Sequence, residues 1–144
     1  MELTLKPYTL RLKHTFGISR ESYDAQDSLI VALSLNGKTG YGEATSNPYY
    51  GISLSGMTAE IEGIQSAIVQ HKFEEPQAFH QFLVDKGLSN FSICALDLAA
   101  HDLYGKLKEK PLYEIWGTDK SQYPISNYTI GLDAIEVMVK KIRE

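Results

Sequence analysis

At 144 residues, with 43% hydrophobic and 22% charged side chains, the chain has the composition of one soluble globular domain and can bury a sizeable core. Fourteen basic against eighteen acidic side chains leave a net charge of −4, which argues against a nucleic-acid surface built on clustered Lys and Arg. No run reaches the apolar length of a membrane helix, "MELTLKPYTL" lacks the apolar block of a signal peptide, and the single Cys94 cannot form an internal disulfide, so a cytoplasmic protein is expected.

From Leu3 to Lys13 apolar and polar residues roughly alternate, as in a strand with one buried face. The polar stretch "HTFGISRESYDAQD" reads as irregular, and "SLIVALSLNGKTGYGEA" as two further strands joined at Asn36-Gly37, a pair suited to the positive φ angles of a type I′ turn. After a second irregular stretch, "TSNPYYGISLSG", a first helix is expected over about Thr58 to His71, with Ile61, Ile64 and Ile68 on one face. Pro76 suits the first turn of a second helix carrying Phe79, Phe82 and Leu83. Asn90 is the expected cap of a third, whose core face holds Ile93, Leu96, Ala100, Leu103 and Leu107. Pro111 opens a short fourth helix that Gly117 should stop. Strands first and helices second make this an α+β arrangement, a three-stranded antiparallel meander followed by a helical bundle. Beyond the linker "TDKSQ", Pro124 to Ile130 reads as a strand. Asp133 and Glu136 have capping-box spacing before a helix whose apolar face is Ile135, Val139 and Ile142. That last strand and helix have the form of one unit of a parallel barrel or sheet, and at Glu144 the pattern stops in mid-helix.

Chemistry-bearing groups are few. Asp97 and His101 are four residues apart on one helix face with Asp102 beside them, which admits a metal site or a carboxylate–histidine pair. Zinc sites need three or four ligands, and a buried aspartate accepting hydrogen bonds between helix and sheet is the reading that needs no missing partners. Cys94, among apolar neighbours, is expected to be a small core residue. Gly40-Tyr41-Gly42 lies on a strand with no helix opening after it, so it lacks the context of a dinucleotide-binding loop. The two irregular stretches are more informative. Phe16, Ile18, Arg20 and Tyr23 mix apolar groups with a cation that forks onto carboxylates, and Tyr49, Tyr50 and Ile52 occupy the second stretch. Both stretches suit either a ligand or an unseen partner surface.

"GYGEA" closing the meander, then "ALDLAAHDLYGKLKEKPLYEIWG", then "NYTIGLD", resemble the N-terminal region of the enolase superfamily, in its muconate-lactonizing/mandelate-racemase-like branch, and most of all the dipeptide epimerases. "IWGTD" stands where many members carry a double glycine, a departure confined to the linker. The resemblance implies an enolase-type capping domain over 1–118, then a linker and the first βα unit of a (β/α) barrel over 119–144, with most of the barrel domain missing. A complete barrel takes roughly 250 residues. The implied chemistry is abstraction of a proton α to a carboxylate, with Mg2+ stabilising the enediolate and lysines as bases. In the family those lysines and the metal-binding carboxylates stand on later barrel strands, so no catalytic or metal-ligating residue carries over and the chain alone is expected to be inactive. Residues that do carry over are Phe16, Ile18 and Arg20 in the first cap loop, Ile52 in the second and Thr129 on the first barrel strand, all as substrate contacts. Arg20 would pair with a carboxylate on the substrate, as in Ala-Glu dipeptides. The alternatives kept are the cap of a cycloisomerase or o-succinylbenzoate synthase, and a non-catalytic folding or assembly module. The expected partners are a dipeptide and the missing barrel. An uncovered apolar face at Ile135, Val139 and Ile142 would also favour a homo-oligomer.

Overall fold

The computed structural model describes every residue except Arg20 and Glu144. Strands β1 (Glu2–Gly17), β2 (Ser22–Leu35) and β3 (Lys38–Thr45) form an antiparallel meander in the order β1-β2-β3. Helices α1 (Leu54–Gly63), α2 (Gln65–Gln70), α3 (Pro76–Asp85), α4 (Asn90–Leu107), α5 (Leu112–Ile115) and α6 (Ile135–Ile142) follow. The α+β layout expected from the sequence is the one the chain adopts. Asn36 and Gly37 turn the β2–β3 hairpin with φ of 51° and 74°, as their pairing requires.

Leu29, Val31 and Leu33 point from one face of β2 into a core completed by Ile61, Phe79, Leu83, Leu96, Ala100 and Leu103. The tightest layer contact is α4 on β3. A Cβ built on Gly42 would stand 2.0 Å from the Ala95 carbonyl oxygen, and one on Gly40 would stand 2.2 Å from that of Ala99. Only glycine lets a helix backbone come this close to a strand. Asp102 closes the same seam, where Oδ2 accepts from the Tyr41 N–H at 2.8 Å and from Lys106 Nζ at 2.7 Å. Lys106 also donates to the Thr39 carbonyl at 2.8 Å. The helix-to-sheet aspartate anticipated in the sequence is thus Asp102, and it is half-exposed rather than buried.

Several boundaries differ from expectation. The stretch 14–27 is mostly strand, because β1 runs to Gly17 and β2 begins at Ser22. Its polar side chains pair across the ribbon, Thr15 to Asp24 and Thr9 to Asp27, and the Phe16 and Tyr23 rings meet at 5.6 Å. Such cross-strand pairs hold a ribbon together without an apolar alternation. The first helix starts at Leu54, capped by the Ser53 hydroxyl on the Gly56 N–H at 3.0 Å, and it breaks after Gly63, a poor helix former. Ser89, one residue before Asn90, caps α4.

Cys94 is exposed rather than in the core. Positions 92, 93, 95, 96, 99, 100 and 103 take the inward arc of α4, leaving Cys94 outside it and Leu98, one turn on, half-exposed at the edge that meets Gly42. Residues 124–130 form no strand: the segment meets β1 only near its end, at Gly17, and no ladder of hydrogen bonds forms along it. No capping box forms at Asp133 and Glu136 either. Helix α6 starts two residues after Asp133, whose carboxylate instead accepts from the Ala134 N–H at 2.9 Å and from Lys141 Nζ at 3.1 Å. Ile135 and Ile142 are 70% and 69% exposed, so the apolar stripe of α6 lies open as its pattern implied.

Glu60 on α1 ties the cap of α4 to the rest of the bundle. Its Oε2 accepts from Ser92 Oγ at 2.6 Å, Ser89 Oγ at 2.7 Å and the Ser89 N–H at 3.2 Å. Partial burial pushes the carboxyl up, but the hydrogen bonds from Ser92 and Ser89 outweigh it and hold it below the usual range.

Two outcomes are expected. Gly42→Ala should cost ~3 kcal/mol or more in urea unfolding, because a methyl there meets helix backbone that cannot swing aside. A loss within about 0.5 kcal/mol would show that α4 can lift off β3. A carboxyl whose folded pKa is depressed stabilises the fold above its unfolded value and loses that contribution as pH falls through the folded one. Glu60→Gln should therefore cost about 1 kcal/mol at neutral pH and make unfolding less steep below the carboxylate range. Identical acid limbs for the two proteins would remove Glu60 from the account.

Candidate functional site

Beyond Gly17 and Ser22 the β1–β2 ribbon is closed by the Ile18 N–H donating to the Glu21 carbonyl at 2.8 Å. Ile18 is 42% exposed at this end, and Phe16 sits one residue before Gly17 against Tyr23. Arg20 lies outside the described residues.

Segment 128–131 crosses beside the end of β1, where the Leu132 N–H donates to the Gly17 carbonyl at 2.7 Å. Between the two runs lies a cavity of about 180 Å³ walled by Leu12, His14, Phe16, Tyr128, Thr129 and Lys141. Phe16 and Thr129, 113 positions apart in the sequence, therefore share one cavity. Lys141 is drawn to that wall by Asp133, and the hydrogen bond from Lys141 holds the Asp133 carboxyl below the usual range.

Ile52 is placed differently. It forms an antiparallel bridge with Asn47, its N–H donating to the Asn47 carbonyl at 2.9 Å, and its side chain packs on the core instead of lining the cavity. The neighbouring Tyr49 and Tyr50 are the exposed groups of that loop, with Tyr50 tilted onto Phe91 at 6.0 Å. Sequence pattern offers no reason to single out Leu12, Tyr128 or Lys141 as cavity walls. Tyr128 adjoins Thr129, which is the nearest thing to a signal, while Lys141 depends on its ion pair.

Asp97 sits between two imidazoles, with Oδ1 hydrogen-bonded to His80 Nδ1 at 3.2 Å and Oδ2 3.7 Å from His101 Nε2. His101 in turn meets the Trp116 ring edge-on at 5.5 Å. Among the described residues no group of three or more His, Cys, Asp or Glu is placed to hold a metal ion. The cluster joins α3, α4 and the turn after α5.

Over residues 2–117 the sequence matches the family described as mandelate racemase / muconate lactonizing enzyme, N-terminal domain. The chain belongs to that family. An L-Ala-D/L-amino acid epimerase from Maribacter sp. is 65% identical over 144 residues, and one from Flavobacterium johnsoniae is 47% identical over 148. Each comparison covers 100% of this chain but 43% of the relative, so the chain spans well under half the length of the proteins it resembles. The crystal structure of a dipeptide epimerase from Enterococcus faecalis, complexed with Mg and the dipeptide L-Leu-L-Tyr, has a TM-score of 0.84 at 29% identity, covering 97% of this chain and 40% of that one. The meander and the helices through α5 are this family's N-terminal domain, an enolase-type capping fold. Phe16 and Ile18 lie inside the family match and Thr129 beyond it, so the cavity is built across the end of the matched region.

Proposed function

We propose that this chain is the N-terminal part of a dipeptide epimerase that inverts the α-carbon of the C-terminal residue of L-Ala-Xaa dipeptides. In this reading residues 1–118 are its capping domain, and 119–144 a linker and the segment whose 124–130 stretch becomes the strand of the first βα unit when the rest of the barrel pairs with it. The observation that carries the proposal is the 65% identity, along the whole chain, to an L-Ala-D/L-amino acid epimerase. A shared cavity for Phe16 and Thr129 supports it, since an aromatic group from the hairpin and a hydroxyl from the following segment line the same space.

In this reading the cap binds and orients, and the chemistry is done elsewhere. Phe16 and Ile18 cover the distal end of the dipeptide and exclude water, while Thr129 forms the opposite wall. Ile52 shapes the second loop from its seat on the core, holding the exposed tyrosines in place. Arg20 pairs with an acidic side chain of the substrate. Proton removal α to the carboxylate needs bases on both faces of the α-carbon, because one removes the proton and the other returns it. Those bases belong to the remainder of the parent protein. The described residues do not fit a magnesium site, so the metal seen with the Enterococcus faecalis enzyme would be held by that remainder too. The single cysteine supports placing the enzyme in the reducing cytoplasm.

The test is deuterium incorporation at the α-carbon of L-Ala-L-Glu and L-Ala-L-Leu by the full-length parent in heavy water with magnesium. Exchange and appearance of the D-epimer are expected from the parent, and neither from the 144-residue chain. A parent that exchanges no L-Ala dipeptide would sink the proposal. Arg20→Met should lower kcat/KM for L-Ala-L-Glu about ten- to a hundredfold, the equivalent of ~1.5–3 kcal/mol for a hydrogen bond to a charged group. L-Ala-L-Leu should be little affected, having nothing for the guanidinium to pair with. Equal losses on both would mean that Arg20 only shapes the loop.

A further inference from the structure

Gly17 and Gly131 are buried although Ile18 and Leu132, the residues that follow them, are exposed. Neither has the positive φ that usually calls for glycine; that property belongs to Gly37, Gly51, Gly87 and Gly117. Space is the reason instead. A Cβ on Gly17 would stand 2.8 Å from the Leu132 carbonyl oxygen. One on Gly131 would stand 2.8 Å from the Gly17 nitrogen, 3.2 Å from its oxygen and 3.4 Å from Phe16 Cα. All of these neighbours are backbone, so no side-chain rotation relieves the clash. The Leu132 N–H closes the contact by donating to the Gly17 carbonyl at 2.7 Å.

Position gives this contact its meaning. Gly17 is the last residue of β1, paired with Ser22, so the hairpin end that carries Ile18 and Glu21 hangs directly from it. As β1 is an edge of the sheet, its outward side has no strand partner, and the chain after Thr129 and Ile130 takes that place for one hydrogen bond. We propose that Gly17 and Gly131 form a backbone clasp that fixes the height and angle of the hairpin tip over the Thr129 wall. They would then be positioning residues for recognition of the distal end of the substrate, an inference that rests on the capping role proposed above. A methyl on either glycine forces the two backbones apart by a sizeable fraction of an ångström. Misplacement on that scale is enough to weaken contacts that depend on geometry.

Two measurements decide it. Hydrogen exchange on the 144-residue chain should find the Leu132 amide protected relative to those of Tyr128 and Asp133, and Gly131→Ala should abolish that protection. In the full-length parent, Gly17→Ala and Gly131→Ala should each raise KM for L-Ala-Xaa dipeptides by about fivefold or more, with a smaller change in kcat. Discrimination between acidic and neutral dipeptides should narrow in the same variants. A Leu132 amide that exchanges as fast as its neighbours overturns the clasp. Protection at Leu132 combined with unchanged KM and unchanged discrimination in both variants overturns the positioning role. Should the parent prove inactive on every dipeptide, the proposed function falls, and the positioning role with it. The exchange measurement would still decide whether the clasp exists.

Discussion

Helix α4 lies against β3 at a separation that no side chain larger than hydrogen would permit at Gly40 and Gly42. The rest of the fold depends on that approach. With Ala95, Ala99 and Leu103 pressed on the strand, Leu96 and Ala100 join Leu29, Val31 and Leu33 of β2 in one core. Helices α1 and α3 then close the other side of α4 through Met57, Ile61, Phe79 and Leu83. Polar groups finish the seam rather than create it. Asp102 and Lys106 satisfy backbone groups of β3 at its rim, and Glu60 gathers three donors at the N-terminal end of α4. Dense apolar packing sets the layer spacing, and the hydrogen bonds can form only once it is set.

The ribbon and the segment after Gly117 obey a different rule. Beyond the bulge between Arg11 and Phe16 the two strands leave the helices behind, and cross-strand pairs hold them together. Among the described residues, none from Thr118 onward belongs to the main core, and Ile125 is 97% exposed. Its attachment comes from the Leu132 N–H on the Gly17 carbonyl and from Lys120 over the Tyr113 ring at 3.7 Å, while the Asp133–Lys141 pair ties the segment to itself. The candidate cavity is thus formed by the two least buried parts of the molecule. That is where binding groups are commonly found, mounted on a rigid scaffold but not part of it.

How much of this was legible beforehand varied with the kind of signal. The Asn36-Gly37 turn, the Pro76 helix start and the Gly117 stop rest on single-residue backbone preferences, and each appears where the sequence places it. The break at Gly63–Ile64 and the shift of the cap from Asn90 to Ser89 turn on choices between near-equal local options. Cys94 has apolar neighbours on both sides, and only the angle at which α4 meets the sheet turns it outward. Family resemblance groups Phe16, Ile18, Arg20, Ile52 and Thr129; the cavity joins Phe16 and Thr129, Ile18 and Ile52 lie outside its lining, and Arg20 is outside the described residues. Leu12, Tyr128 and Lys141 carried no comparable mark. Their part in the cavity follows from one chain segment crossing another.

The sequence by itself determined the order of strands before helices, the β2–β3 hairpin, and Ile93, Leu96, Ala100 and Leu103 as inward residues of α4. All of these follow from local backbone preference and from periodicity along one element. Tertiary structure alone decided that residues 14–27 extend the ribbon, that 124–130 forms no strand, and that Asp133 binds Lys141 instead of capping a helix. It also decided which glycines are required by contact rather than by conformation. A ladder, an ion pair and a close approach each need two distant segments, and one-dimensional pattern says nothing about what lies alongside.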